Sequence, residues 1–174
     1  MTVVNRSYLM AAAPIVVMAP CKIAGPGGTT YGLGEAGYDI RIKQEVYFRP
    51  NEHIRFHMDC RVTAPGEKPV VERTTRFALA SAVEEFCMPS DLLGIVHDKS
   101  TWARRGLSVF NTVIEPGWKG FLTLELVYHG KEELIIPAGS GIAQVIFHEV
   151  EERAQYNGKY QNQADKPVSA IDSV

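Results

Sequence analysis

The sequence predicts a single all-β domain, and three observations carry that expectation. Apolar and polar residues alternate with a period of two over short runs: Tyr38, Ile40 and Ile42 with Asp39, Arg41 and Lys43; Ile54, Phe56 and Met58 with Arg55, His57 and Asp59; Leu122, Leu124 and Leu126 with Thr123 and Glu125. Turn-forming clusters separate the runs, among them Gly25-Pro26-Gly27-Gly28, Pro50-Asn51, Pro65-Gly66, Pro89-Ser90, Pro116-Gly117, His129-Gly130 and Pro137-Ala138-Gly139. No long stretch carries the 3.6-residue period of an amphipathic helix. Half-buried strands joined by frequent turns imply a closed or double-sheet β architecture. The chain of 174 residues suits one compact domain that buries about two-thirds of its unfolded surface.

Helix candidates are short: Asn5 to Ala12, and one or two turns around Lys99 to Arg105. The segment Tyr8 to Cys21, YLMAAAPIVVMAPC with Arg6 upstream, imitates a secretory signal. Pro14 interrupts its apolar run, Pro20 stands where a small residue would precede cleavage, and the run is far short of the ~20 residues that span a bilayer. It reads instead as a buried strand after a short lead-in. There is no internal repeat and no low-complexity stretch. From Glu151 onward the chain turns polar and aperiodic, so a β core of residues 30–150 is followed by a tail, 151–174.

Eighteen basic and twenty acidic residues leave a net charge of −2. Nucleic-acid and anionic-membrane binders usually carry a basic surplus; none is present, so neither partner is expected and an anionic ligand must be met by a few placed residues. Cys21, Cys60 and Cys87 are too few and too scattered for a disulfide framework. They indicate a reducing compartment, hence a soluble cytoplasmic protein, with the thiols as small core residues.

Several patterns imitate chemistry. Gly32-Leu33-Gly34-Glu35-Ala36-Gly37 matches the dinucleotide fingerprint, which works only between a strand and a helix; here a Gly/Thr loop precedes it and an alternating strand follows. His53 and His57 have the i, i+4 spacing of helical metal ligands, but in an alternating strand they would stand about 13 Å apart. The H-E-x-x-H motif is absent, as is the H-x-E with P-C-x-x-C by which zinc deaminases activate water, so no zinc is expected. No G-x-S-x-G elbow or Walker A sequence occurs.

Lys99-Ser100-Thr101-Trp102-Ala103-Arg104 is more informative. Two hydroxyl residues opening a short helical turn direct N–H and O–H groups outward, which suits phosphate oxygens. Arg104 lies four residues after Ser100, on the same helical face. An ordinary N-cap with a solvated basic face would look the same. Further on, Glu115-Pro116-Gly117-Trp118 is a tight turn with a carboxylate and an aromatic ring. It leads into Phe121 to Leu126, where the leucines share the core face while Thr123 and Glu125 share the other. If that other face lines a pocket, partial burial would raise the Glu125 pKa toward the range useful for proton transfer.

These residues resemble the successive motifs of the dUTPase/dCTP deaminase superfamily: Ser100-Thr101-x-Ala103-Arg104, Ile114-Glu115-Pro116-Gly117-Trp118-x-Gly120, Leu124-Glu125 and Gly141-Ile142-Ala143-Gln144. Ala36 to Arg41 and Phe77 to Glu84 fit upstream in the same order, and Gly158-Lys159-Tyr160-Gln161-Asn162-Gln163 with Ser169 fits the tail. The resemblance covers residues 30–170 and leans toward dCTP deaminase. The tail resembles the deaminase lid rather than the Gly-rich, Phe-containing dUTPase arm, and Glu125 falls where deaminases place their catalytic carboxylate.

The resemblance implies a distorted β-barrel or jelly-roll, the dUTPase-like β-clip, assembled as a homotrimer with active sites shared between subunits and closed by the tail. It implies hydrolysis of dCTP to dUTP and ammonia, with Glu125 as the proton shuttle and no metal on the water. Ser100 and Arg104 would position the water and hold the charged carboxylate. Lys99, Ser100, Thr101, Lys159 and Gln163 would meet the triphosphate together with Mg²⁺, with Tyr156 a further candidate. Thr123 and Leu124 would offer backbone groups to the base, and Glu115 would face the sugar. Lys99 stands for the family's usual arginine and Glu115 for its usual aspartate. The link from Arg105 to Val113 is short, leaving Asn111 and Thr112 as candidates for the loop position near the water. The alternatives are a dUTP diphosphatase, a bifunctional deaminase and diphosphatase, and a non-catalytic nucleotide-binding regulator on the same fold.

Overall fold

Fourteen short strands and two short helices organise the chain, as described by a computed structural model covering residues 2–68, 70–110 and 112–172. In chain order they are β1 (Val3–Val4), α1 (Arg6–Ala12), β2 (Lys22–Ala24), β3 (Thr30–Leu33), β4 (Tyr38–Arg41), β5 (Glu45–Pro50), β6 (Met58–Thr63) and β7 (Val70–Thr74). Then follow β8 (Phe77–Cys87), β9 (Leu92–Asp98), α2 (Ser100–Ala103), β10 (Leu107–Val109), β11 (Val113–Ile114), β12 (Lys119–Tyr128), β13 (Leu134–Ile136) and β14 (Gly141–Glu149).

The strands form three antiparallel sheets. The largest runs β11-β9-β14-β4-β3-β2, with β1 also on β14; β9 takes one edge of β14, while β4 and β1 follow one another along the other. A second sheet is β10-β12-β8 and a third is β13-β5-β6-β7. A bridge between Ile42 and Ala82 joins the end of β4 to β8. Inward-facing apolar residues of all three sheets merge into one core, with Ile40, Ile42, Val46, Phe48, Ala80, Leu126, Ile136, Val145 and Phe147 fully buried. The all-β expectation and the barrel-like β-clip agree with this arrangement.

Two polar side chains are buried because the chain supplies partners. Glu84, 1% exposed, accepts from Arg41 Nε and from the Arg41 backbone N–H, both at 2.8 Å. The Arg41 guanidinium also stacks 4.4 Å from the Tyr31 ring centroid. Gln44 braces Ser81 by accepting its N–H at 2.7 Å and donating to its hydroxyl at 3.0 Å.

Several expectations are corrected. Residues 51–57 are a hairpin loop and not a strand: Asn51 Oδ1 accepts the N–H groups of His53 at 2.9 Å and Ile54 at 2.6 Å, and Asn51 N donates to His57 O. That side-chain capping of the turn overrides the alternation, leaving Ile54 and Phe56 exposed at 47% and 77% and both histidines on the loop surface. The Tyr8 to Cys21 segment yields α1 and then an irregular run. Two prolines remove donors there, and only a bridge from Ile15 to Phe86 remains, with Val16 and Val17 exposed. Only Cys60 is a core thiol, and burial pushes its pKa up to about 12; Cys21 and Cys87 are exposed, and all three are free.

The glycine-rich imitation of a dinucleotide loop is the β3–β4 hairpin, with Gly32 opposite Asp39 and Gly34 N bonded to Gly37 O. Its glycines permit close approach: a Cβ on Gly37 would stand 2.2 Å from Val145 O. Among the described residues no helix is long and apolar enough to cross a membrane.

Candidate active site

The alternation in β12 positions the site. Leu124 and Leu126 point into the core, at 1% and 0% exposure, and Thr123 and Glu125 therefore share the opposite face. The β12–β8 register places Thr123 opposite Ser81, Glu125 opposite Leu79 and Val127 opposite Phe77. Ser81 turns its backbone away from β12, because its N–H serves Gln44 and its C=O accepts from Lys43 N at 2.8 Å. Thr123 must then turn its own N–H and C=O toward the far edge of β12. Phe121, whose N–H meets Gln163 O at 3.1 Å, and Glu125, whose C=O accepts from Phe110 N at 3.0 Å, point the same way. Leu124, one residue out of phase and opposite Ala80, turns its backbone toward β8.

A cavity of about 380 Å³ opens on the Thr123/Glu125 face. Its floor is Glu125, Thr123 and Leu122 of β12 with Phe77 and Leu79 of β8. Leu122 stays in the buried core row with Leu124 and Leu126, at 8% exposure, and also borders the cavity where the ladder slips between Phe121 and Thr123. One wall is Thr112 to Glu115 with Trp118, and the other is the tail, through Tyr156, Tyr160, Gln163, Val168 and Ala170. Burial holds the Glu125 carboxyl above the usual carboxylate range, opposed in part by a backbone hydrogen bond. Among the described residues no cation pairs with it.

The tail is fastened residue by residue. Tyr156 N donates to Pro116 O at 2.8 Å, Gln155 and Gln161 donate side-chain amides to Gly117 O at 2.9 and 3.0 Å, and Trp118 Nε1 donates to Tyr160 O at 2.7 Å. Gln163 then bridges to Gly120 as a short parallel pair, and Thr123 Oγ1 accepts from Gln163 Nε2 at 2.8 Å and Val168 N at 3.1 Å. Two glycines make this approach possible. A Cβ on Gly117 (φ +73°) would stand 2.4 Å from the Gln155 side chain, and one on Gly120 (φ +129°) would stand 2.5 Å from Gln163 N.

Of the residues singled out from sequence, Glu125, Glu115, Thr123, Tyr156 and Gln163 meet in this cavity, and Thr112 joins them. Asn111 lies outside the described residues. The Lys99–Arg104 group stands elsewhere in the same chain, on and around α2. Buried Trp102 anchors that helix by donating to Gly141 O at 2.8 Å, and Ser100 and Arg104 are exposed. Lys99 Nζ is ion-paired with the buried Asp39. Lys159, also outside the cavity wall, reaches the Ile171 carbonyl and lies over the Tyr160 ring at 5.2 Å. Sequence reasoning missed Phe77, Leu79 and Tyr160 as cavity residues; the first two follow only from strand register. Among the described residues no cluster of three or more His, Cys, Asp or Glu could hold a metal ion.

Comparison with known proteins agrees with this geometry. A family model described as dCTP deaminase-like matches residues 23–150. The dCTP deaminase of Sulfurovum sp. (strain NBC37-1) is 38% identical over 152 residues, covering 81% of this chain and 80% of that protein. The dCTP deaminase of Campylobacter jejuni subsp. jejuni serotype O:6 is 37% identical over 150 residues, 80% of each. Among solved structures, the 2'-deoxycytidine 5'-triphosphate deaminase from Agrobacterium tumefaciens has the same fold with a TM-score of 0.53 at 16% identity, over 83% of this chain and 47% of that one. A mutant dUTPase from S. aureus phage phi11, whose structure concerns a structural Mg(II) ion, gives 0.50 at 13% identity, over 72% and 84%.

Proposed function

Because the chain belongs to the dCTP deaminase-like family, matched over residues 23–150, we propose that it hydrolyses dCTP to dUTP and ammonia in the cavity beneath the tail. The observation that carries this is Glu125, a desolvated carboxyl without a cation partner among the described residues, at the floor of a nucleoside-sized cavity. Hydrolytic deamination needs one group that moves protons in both directions, and a carboxyl with a raised pKa is suited to that. Glu125 takes a proton from water as its oxygen adds to C4, and passes it to N3. The same carboxylate then carries the proton of the new C4 hydroxyl to the amino group, the C4–N bond breaks, ammonia leaves and the C4 carbonyl forms.

Thr123 meets the base through the backbone groups it turns away from β8, with Leu124 behind it in the core. Glu115 faces the sugar. Tyr156, Lys159 and Gln163 of the tail close over the triphosphate. Mg²⁺ bound to the nucleotide would offset part of its charge; such ions are commonly held by phosphate oxygens and water rather than by a protein cage.

Ser100, Thr101, Arg104 and Lys99 complete the reading only from a neighbouring copy, so the active form is a homotrimer with sites shared between subunits. Phe110 and Val113, exposed at 52% and 50% beside the cavity, support a surface that another copy covers. There Ser100 and Arg104 would help to position the water and hold the Glu125 side chain in place. The single domain, with residues 30–150 as core and 151–174 as lid, acts in the cytoplasm, in keeping with three free cysteines.

Glu115 shares the cavity with Glu125, which favours a second reading, a bifunctional enzyme that also releases pyrophosphate. Product analysis with dCTP and, separately, dUTP distinguishes them. Ammonia and dUTP from dCTP, with dUTP untouched, is the expected result. Pyrophosphate from dCTP would indicate the bifunctional enzyme, and pyrophosphate from dUTP alone a dUTP diphosphatase. No turnover of either would indicate a nucleotide-binding regulator.

A further inference from the structure

The floor around Glu125 is chemically lopsided. On one side Thr123 shares its face, with a hydroxyl bonded to the Gln163 amide. On the other side the register sets Leu79 opposite Glu125 and Phe77 opposite Val127, so that flank is apolar. The order along the floor is polar, carboxylate, apolar.

The edge of cytosine has the same order: the O2 carbonyl, then N3 and the amino-bearing C4, then C5–H. A carboxylate that serves both N3 and the amino group at C4 leaves O2 on one flank and C5 on the other. O2 only accepts hydrogen bonds, and left against Phe77 it would be buried without a donor. It therefore belongs at the Thr123 side, and C5 points to Phe77.

Beyond Phe77 lies space. Phe77 also walls a second cavity of about 650 Å³ bounded by Lys43, Val62, Pro65 and Pro167. The tail separates the two, with Gln163 and Val168 facing the first and Asp165 and Lys166 the second. We propose that the site accepts 5-substituted cytosine deoxynucleoside triphosphates as well as dCTP, with the 5-substituent seated against Phe77. This rests on the deaminase reading above. With a 5-methyl group the chemistry balances as for dCTP: water adds to C4, the C4–N bond breaks, ammonia leaves, and the product is dTTP, with no change of oxidation state.

The test is kcat/KM of the full-length protein for 5-methyl-dCTP and dCTP, in the wild type and in Phe77→Trp and Phe77→Ala. The wild type is expected to use the two nucleotides within about tenfold of one another. Phe77→Trp, which fills the seat, should lower the 5-methyl-dCTP to dCTP ratio by roughly tenfold or more, as one methyl group in an apolar pocket does; Phe77→Ala should not lower it. Active turnover of dCTP with 5-methyl-dCTP more than about a hundredfold poorer, or a ratio unmoved by Phe77→Trp, overturns the inference and leaves the deaminase reading standing. Failure of the wild type to turn over either nucleotide overturns that reading itself.

Discussion

The side-chain amide of Gln163 donates to the hydroxyl of Thr123 at 2.8 Å, and the same oxygen accepts the backbone N–H of Val168 at 3.1 Å. One hydroxyl, on the strand face that carries Glu125, thus holds two points of the tail over the cavity. Thr123→Val and Gln163→Leu should each loosen the tail, seen as faster amide exchange across residues 164–172 and a raised KM for dCTP. The double variant should show a coupling of about 0.5–1.5 kcal/mol, the net worth of one hydrogen bond. Strict additivity would mean that the contact does not help to close the tail.

Gly120 tests the docking from the other partner. Alanine there would put a methyl group 2.5 Å from Gln163 N and 2.6 Å from Gln163 O at φ +129°. Gly120→Ala should therefore expose the tail to limited proteolysis at residues 154–163 and reduce kcat/KM for dCTP, with the β core still folded by circular dichroism. A tail as protected as in the wild type would contradict the assigned contact.

The parts of the site that were legible in the sequence are those set by local rules. Alternation in β12 put Thr123 and Glu125 on one face, and the loss of periodicity marked the tail. Register and sheet order are not local. Phe77 and Leu79 reach the cavity because β8 pairs with β12 in one particular alignment. Lys99 meets Asp39 because β14 lies between β4 and β9. The same limit explains the false strand at residues 54–57, where an Asn51 side chain that captures two backbone N–H groups outweighs a period-two pattern. Nor does pairwise spacing show that Ser100 and Arg104 are not among the residues lining the cavity that holds Glu125.

The Arg41–Glu84 pair should matter to folding more than to chemistry. Burial pushes the Glu84 carboxyl upward even with Arg41 bonded to it. Arg41→Met leaves that carboxyl 1% exposed and without its guanidinium, a change that typically costs about 3–5 kcal/mol. Glu84→Gln keeps an acceptor for the Arg41 backbone N–H and removes the buried charge, so it should cost less. Thermal unfolding at neutral pH ranks the two; the opposite order would refute this account.

Shared sites predict rescue between inactive variants. Glu125→Gln and Arg104→Ala should each be inactive alone. Mixed and reassembled, they should regain part of the activity, because some sites combine an intact Glu125 from one copy with an intact Arg104 from another. No regain after verified subunit exchange would place both residues in the chemistry of a single chain.

Ammonia release from dCTP by Glu125→Gln, with nucleotide binding and melting temperature followed in parallel, decides whether this carboxyl moves the protons. Burial raises the Glu125 pKa in the folded state, so between the unfolded and folded pKa values the folded protein binds more protons. Its stability then falls as pH rises through that window, and the carboxylate costs stability at neutral pH. Removing the charge should leave the melting temperature at pH 7 no lower than in the wild type. The acid limb of wild-type kcat should lie above the ordinary glutamate value of about 4.3. Glu125→Gln should bind dCTP nearly as well as the wild type, melt no lower, and release no ammonia. Ammonia released at the wild-type rate would show that Glu125 is not the group that moves the protons, and binding and folding lost together would mark it as a structural residue instead.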